Sequence, residues 1–227
     1  MAAHFDSSLF AFLKDLAAHN DRAWFAENKP RYEEHVKEPL LAFIADVAEP
    51  LGKVSPHFRA DPRPVGGSMF RIHRDTRFSR DKSPYKTHAS AQFRHVTGKN
   101  AHAPCYYLHL EPGRVFVGAG IWHPDGPAAT RIRAAIVDDP AGWKKAVGGA
   151  RFRKQWSLEG DSLKRPPRGV DREHALLDDL KRKDFIAVRT FTQKDVCAPG
   201  FLKEFAGACR TSAPFVRFVT EGMGLEF

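Results

Sequence analysis

The stretch CYYLHLEPGRVFVGAGIW (105–122) repeats its apolar residues at every second position on either side of Glu111-Pro112-Gly113-Arg114. A period of two interrupted by Pro-Gly is the pattern of a β-hairpin. With the turn at Pro112-Gly113, Leu110 faces Val115, Leu108 faces Val117 and Tyr106 faces Ala119, which makes one continuous apolar face to pack on helices. The opposite face sets His109 against Phe116 and Tyr107 against Gly118, with Gly120 and Trp122 beyond.

Outward from the hairpin, Met69 to His73 and Lys86 to Arg94 read as two earlier strands, separated by a charged excursion with a turn from Arg74 to Pro84. DFIAVRTF (184–191) reads as a further strand. The N-terminal third is helical. Ser7 or Ser8 is placed to cap a helix carrying Leu9, Phe12, Leu13 and Leu16, and Asp21 to cap a second with Trp24 and Phe25. Pro30 suits the start of a third, whose buried stripe runs Tyr32, Val36, Leu40, Leu41, Ile44 and Val47, with Pro39 expected to kink or split it. Pro50 to Gly67 reads as a connecting loop. After the hairpin, helices are expected over 128–137 and 141–147, an extended piece over 151–157, a basic turn at KRPPRGV (164–170), and a helix from Asp171 to about Arg182. Two C-terminal helices follow, around 201–209 and 214–222. The expected architecture is one α+β domain over 1–227: helical over 7–50, a mainly antiparallel central sheet over 68–122, and helices with one further strand over 128–227.

Composition narrows the class. The chain is 42% hydrophobic with eighteen Phe, enough for an aromatic core, and it carries a formal charge of +9, which favours anionic partners. Cys105, Cys197 and Cys209 form no C-x-x-C pair, so reduced thiols and a cytoplasmic location are expected. Asp6 and Lys14 break the N-terminal apolar pattern, which argues against a signal peptide, and no apolar run is long enough for a membrane span.

Nearly half of the charge sits in SMFRIHRDTRFSRDKSPYKTHASAQ (68–92). Between Arg71 and His88, six cations (Arg71, Arg74, Arg77, Arg80, Lys82, Lys86) stand against Asp75 and Asp81. Guanidinium forks suit phosphate or carboxylate, and an interleaved aspartate suits the orientation of an arginine. An expected strand puts Arg71, His73 and Asp75 on one face, and Lys86 and His88 together on another. Arg71, Arg74, Asp75, Arg77, Lys82, Tyr85 and Lys86 are therefore candidates for holding an anion, with Tyr107 and Trp122 as stacking walls beside the glycine-cleared hairpin. His88 and His109 are the candidate acid/base groups. His73, His88, His95, His102, His109 and His123 show no H-x-x-x-H, H-E-x-x-H or Cys/His spacing, so no metal is expected; with no Walker or Rossmann fingerprint, no cofactor is expected either.

Five segments in order, WFAENKPRYEEHVKEPLLAFI (24–44), SMFRIHRDTRFSRDKSPYKTH (68–88), YYLHLEPGRVFVGAGIW (106–122), KDFIAVRTF (183–191) and PFVRF (214–218), resemble the bacterial and fungal family called domain of unknown function 2461. The resemblance implies a single α+β domain and marks Phe70–His88 as the family signature. It brings no activity, cofactor or catalytic residue, and His73 stands where an aromatic is more usual. Three readings of function follow from the residues. One is a binding module for a phosphorylated or otherwise anionic small molecule, or for single-stranded nucleic acid. A second is a hydrolase- or transferase-like enzyme on such a ligand, with a histidine as acid/base. The third is a signature that locks the fold while a protein partner binds elsewhere.

Overall fold

The structure is a computed structural model describing residues 3–97 and 103–227, so His102 lies outside the described residues. Five antiparallel strands form one sheet in the order β1-β2-β3-β5-β4. They are β1 (Ala89–Arg94), β2 (Cys105–Glu111), β3 (Arg114–Ile121), β4 (Ser157–Glu159) and β5 (Phe185–Phe191). The hairpin register is the one its alternation predicts: Leu110 pairs with Val115, Leu108 with Val117, Tyr106 with Ala119, His109 with Phe116 and Tyr107 with Gly118.

Alternation divides the sheet into an apolar and a polar face. Ala91, Phe93, Tyr106, Leu108, Leu110, Val115, Val117 and Ala187 are buried on the first. Against it lie α1 (Ser7–Ala18) and the long α9 (Phe201–Gly222), with α3 (Glu38–Gly52) packed on α9. The layer between is aromatic: Phe205 meets Phe93 at 5.3 Å and Phe43 at 5.4 Å, and Phe215 meets Phe152 and Trp143. Burial of this kind stabilises by roughly 25 cal/mol per Å² of apolar surface, which is why the helices close over this face and leave the other. The remaining helices, α4 (Gly126–Asp138), α5 (Pro140–Gly148), α6 (Ala150–Gln155), α7 (Leu177–Leu180) and α8 (Gln193–Val196), complete the single α+β domain.

Several local expectations are corrected. Asp6, not a serine, caps α1 by accepting from Ser8 N–H, because a carboxylate one residue earlier reaches the same free amide. Asp21 caps α2 (Arg22–Tyr32) as expected. The prolines do not separate α2 from α3: a single π-turn at Glu33–Lys37 joins them, with Glu38 N–H bonded to Glu33 O and Pro39 seated in the first turn of α3. Pro214 likewise lies inside a continuous α9, since packing along the whole helix outweighs one missing N–H. Residues 150–155 are helical and not extended, and the helix expected from Asp171 is a single turn at Leu177–Leu180.

Met69 to His73 is no strand. Two isolated bridges, Met69 to Ala91 and His73 to Tyr85, are its only sheet-like pairings among the described residues. Between His73 and Tyr85 the chain makes the expected charged excursion, closed by Arg74 N–H to Pro84 O and Lys86 N–H to Ile72 O, both 2.8 Å. Lys86 and His88 precede β1, whose ladder begins at Ala89.

Candidate functional site

The signature excursion is docked by α1, α2 and the turn between them. Asn20, just past α1, donates from Nδ2 to Tyr85 O and accepts at Oδ1 from Tyr85 N–H, each at 3.0 Å. This side-chain amide pairs with the Tyr85 backbone as a neighbouring strand would. Phe25 of α2 stacks on the Tyr85 ring at 4.1 Å. Tyr85 is thus buried as an anchor, and its candidate role as a ligand contact reduces to shaping a wall.

Between this anchor and the excursion lies a cleft of about 390 Å³, lined by Asn20, Arg74, Asp81, Ser83, Tyr85, Lys86, Thr87 and His88 among others. Four of the candidate residues therefore converge here: Arg74, Tyr85, Lys86 and His88. Arg74 is ion-paired with Asp81. Hydrogen bonds from Ser83 and from Arg74 hold the Asp81 carboxyl well below the usual range. Lys86 donates from Nζ to Arg71 O at 2.7 Å and sits 5.3 Å from the Phe70 ring centroid, yet forms no ion pair among the described residues. Burial, and then the like charge of Arg71, push the Lys86 ammonium pKa down.

The other cations are placed differently. Arg77 reaches back to Asp75 at 2.7 Å, and that hydrogen bond holds Asp75 at about 2. Both lie on the exposed excursion, where such a pair contributes about 0–1 kcal/mol. Lys82 donates to Thr76 O. Arg71 is exposed and forms no ion pair among the described residues; it lies beside Lys86 and does not line the cleft. Trp122, at the far end of β3, stacks on His123 at 3.9 Å and is 59% exposed; it does not line the cleft. Of the two hairpin glycines, Gly120 has no room for a side chain, since a Cβ would meet Phe185 O and Phe215, whereas one on Gly118 would rest at ordinary contact distance from Tyr107.

On the polar face of β2, alternation puts Tyr107, His109 and Glu111 in a row, and strand pairing brings His88 beside them. Tyr107 Oη lies 3.0 Å from His109 Nδ1, and His109 Nε2 lies 3.1 Å from Glu111 Oε2. Thr87 donates to Glu111 Oε1 at 3.2 Å. The His88 and His109 rings are 4.4 Å apart, and Phe116 stacks on His109 at 4.6 Å. Burial, then the charge of His109, lower the His88 pKa to about 4; burial also lowers that of His109. Burial raises the Glu111 carboxyl, but the hydrogen bond from His109 and the nearby imidazoles outweigh it and leave it below the usual range. The two candidate histidines are therefore adjacent, and His88 joins the polar row to the cleft.

Sequence reasoning missed Asn20, Thr87 and Glu111. Glu111 was legible in principle, two residues from His109 on the same strand, but as a turn residue its direction was unspecified. Arguments from spacing missed the cluster because its groups come from β2 and from the residue that leads into β1, and not from one helix.

Among the described residues, no helix is long and apolar enough to cross a membrane. No curated protein and no solved structure matches the chain. Residues 8–218 match the family described as Conserved hypothetical protein (DUF2461), nearly the whole chain and with it every residue of the cleft and the polar row. The chain belongs to that family.

Proposed function

We propose that this chain binds a small phosphorylated or carboxylated molecule in the cleft shared by Lys86, Arg74 and His88. The observation that carries the reading is Lys86: a half-buried ammonium with no carboxylate partner among the described residues, beside a second cation and at the edge of an open cleft. Burying a charge without a counter-ion is costly, and an anion in the cleft would relieve that cost. Arg74, oriented by Asp81, supplies a fork for two oxygens, and Ser83 and Thr87 line the same space. A volume near 390 Å³ suits a small molecule better than a polymer strand. The enzyme reading draws support from His88, which lines the cleft while touching His109; a neutral imidazole there suits a general base.

The test is a calorimetric titration with inorganic phosphate and with acetate. Lys86→Ala and Arg74→Ala should each weaken binding about tenfold or more, the cost of a lost charged hydrogen bond. Arg77→Ala should leave it unchanged. Equal affinity in all four proteins would refute the site. Tight, steeply salt-dependent capture of an oligothymidylate in place of phosphate would move the function to single-stranded nucleic acid.

A further inference from the structure

We propose that His88, His109 and Glu111 form a binding site for one first-row divalent transition metal ion of the Zn²⁺ class. One donor atom from each of the three lies within 4.8 Å of the others. Two imidazole nitrogens and one carboxylate oxygen are the donor set that zinc, iron and cobalt accept, whereas magnesium and calcium require mostly oxygen. Three protein ligands also leave a position open for water or substrate.

The surroundings are those a ligand set needs. A metal-bound histidine requires its lone pair on one nitrogen and a partner for the proton on the other. His109 Nε2 points toward Glu111, and Nδ1 is held by the Tyr107 hydroxyl. With the proton on Nδ1, His109 donates to Tyr107 Oη, which is itself hydrogen-bonded to the Ser90 side chain and can pass its own proton that way. Glu111 keeps one oxygen on the Thr87 hydroxyl and turns the other to His109. The outer partners of both ligands are therefore in place.

Ligand atoms at about 2.1 Å from an ion stand roughly 3.0–3.5 Å apart. His109 and Glu111 already meet this at 3.1 Å. The widest spacing in the cluster, no more than 4.8 Å, has to close toward that range, and His88 is the residue free to move, since it makes no hydrogen bond among the described residues and is held by ring contact with His109. Because His88 also lines the cleft, an ion here would stand next to any anion held by Lys86 and Arg74. The metal site rests on its own donors and does not depend on that anion.

The experiment is a titration of tag-free, chelator-treated full-length protein with Co²⁺, read by visible absorption, followed by displacement with Zn²⁺ and calorimetry of Zn²⁺ alone. One equivalent should bind, with the intense absorption of a low-coordinate site. His109→Ala and Glu111→Gln should lose this signal, with at least a hundredfold weaker Zn²⁺ binding. Tyr107→Phe should weaken binding about tenfold to a hundredfold through its hold on His109. If His109→Ala fails to fold, His88→Ala replaces it, because that side chain is part-exposed and unbonded; circular dichroism checks both. No binding by the folded wild type, or binding unchanged in His88→Ala and Glu111→Gln, overturns the proposal. Loss of phosphate binding in Lys86→Ala with Co²⁺ binding intact separates the failure of one site from that of the other.

Discussion

Replacing Asn20 with alanine should undock the signature excursion without touching a residue of it. The side chain supplies two hydrogen bonds at 3.0 Å to the backbone of Tyr85, a residue only 6% exposed. Each is worth about 1 kcal/mol net, and leaving the Tyr85 N–H and C=O without partners adds to the loss, so the total is about 2–4 kcal/mol. For a chain of this size that corresponds to a melting temperature lower by roughly 5–15 °C. If the excursion opens locally instead, the same free energy appears in hydrogen exchange: the amides of Arg74 and Lys86, bonded to Pro84 O and Ile72 O, should exchange about a hundredfold faster. The Phe25–Tyr85 stack survives the substitution, so the change isolates the polar clamp. Asn20→Asp adds a signed test. Its carboxylate would face Tyr85 O without a proton to donate, which raises its folded pKa above the unfolded value of about 3.9. Protonation supplies the missing donor, so the deficit should be largest at neutral pH and shrink as pH falls toward about 4. Wild-type stability and unchanged exchange in Asn20→Ala would refute the claim that this turn positions the cleft.

Two further outcomes test the frame around the site. Asp184, 1% exposed, accepts from His123 N–H at 2.7 Å, His123 Nδ1 at 2.8 Å and Asp161 N–H at 3.0 Å, and so ties the end of β3 to the segment after β4. Burial raises its carboxyl, yet these hydrogen bonds outweigh it and leave the pKa depressed; its stabilisation is therefore present above about pH 4 and lost as pH falls through the folded value. Asp184→Asn should be destabilised by about 2–3 kcal/mol at pH 7, with a gap to wild type in thermal melts that narrows toward pH 3; a gap independent of pH would contradict this. Gly120→Ala should cost about 3–5 kcal/mol, because its φ is +109° and a Cβ would stand 2.1 Å from Phe185 O, whereas Gly118→Ala, with its nearest contact 3.6 Å away, should fall within about 1 kcal/mol of wild type. Equal melting temperatures for the two glycine variants would show that β3 and β5 can part more readily than their packing indicates.

The hairpin was legible because its signal is local. A two-residue period around Pro112-Gly113 specifies register, and a slip of one residue would turn Leu108 and Leu110 onto the polar face. β5 and the faces of α1 and α3 were legible for the same reason. The excursion was half legible: its closing turn follows from Ser83-Pro84, but Met69–His73 has strand-like alternation and too few partners to form a ladder. Proline misled at positions 30, 39 and 214, where long-range packing of the helices overrides a local breaker.

Charge behaved likewise. The row of arginines in the chain promised a broad basic patch, yet Asp81 takes Arg74 and Asp75 takes Arg77, and Lys86 and Arg71 form no ion pair among the described residues. Alternation and composition, read along the chain, sufficed for an α+β domain with an apolar and a polar sheet face, since each depends on neighbours two to four residues apart. The seating of Tyr85 on Asn20 and the meeting of His88 with His109 and Glu111 belong to the tertiary structure. Those contacts join segments 21 to 65 residues apart through strand pairing and helix docking, and no local period encodes them.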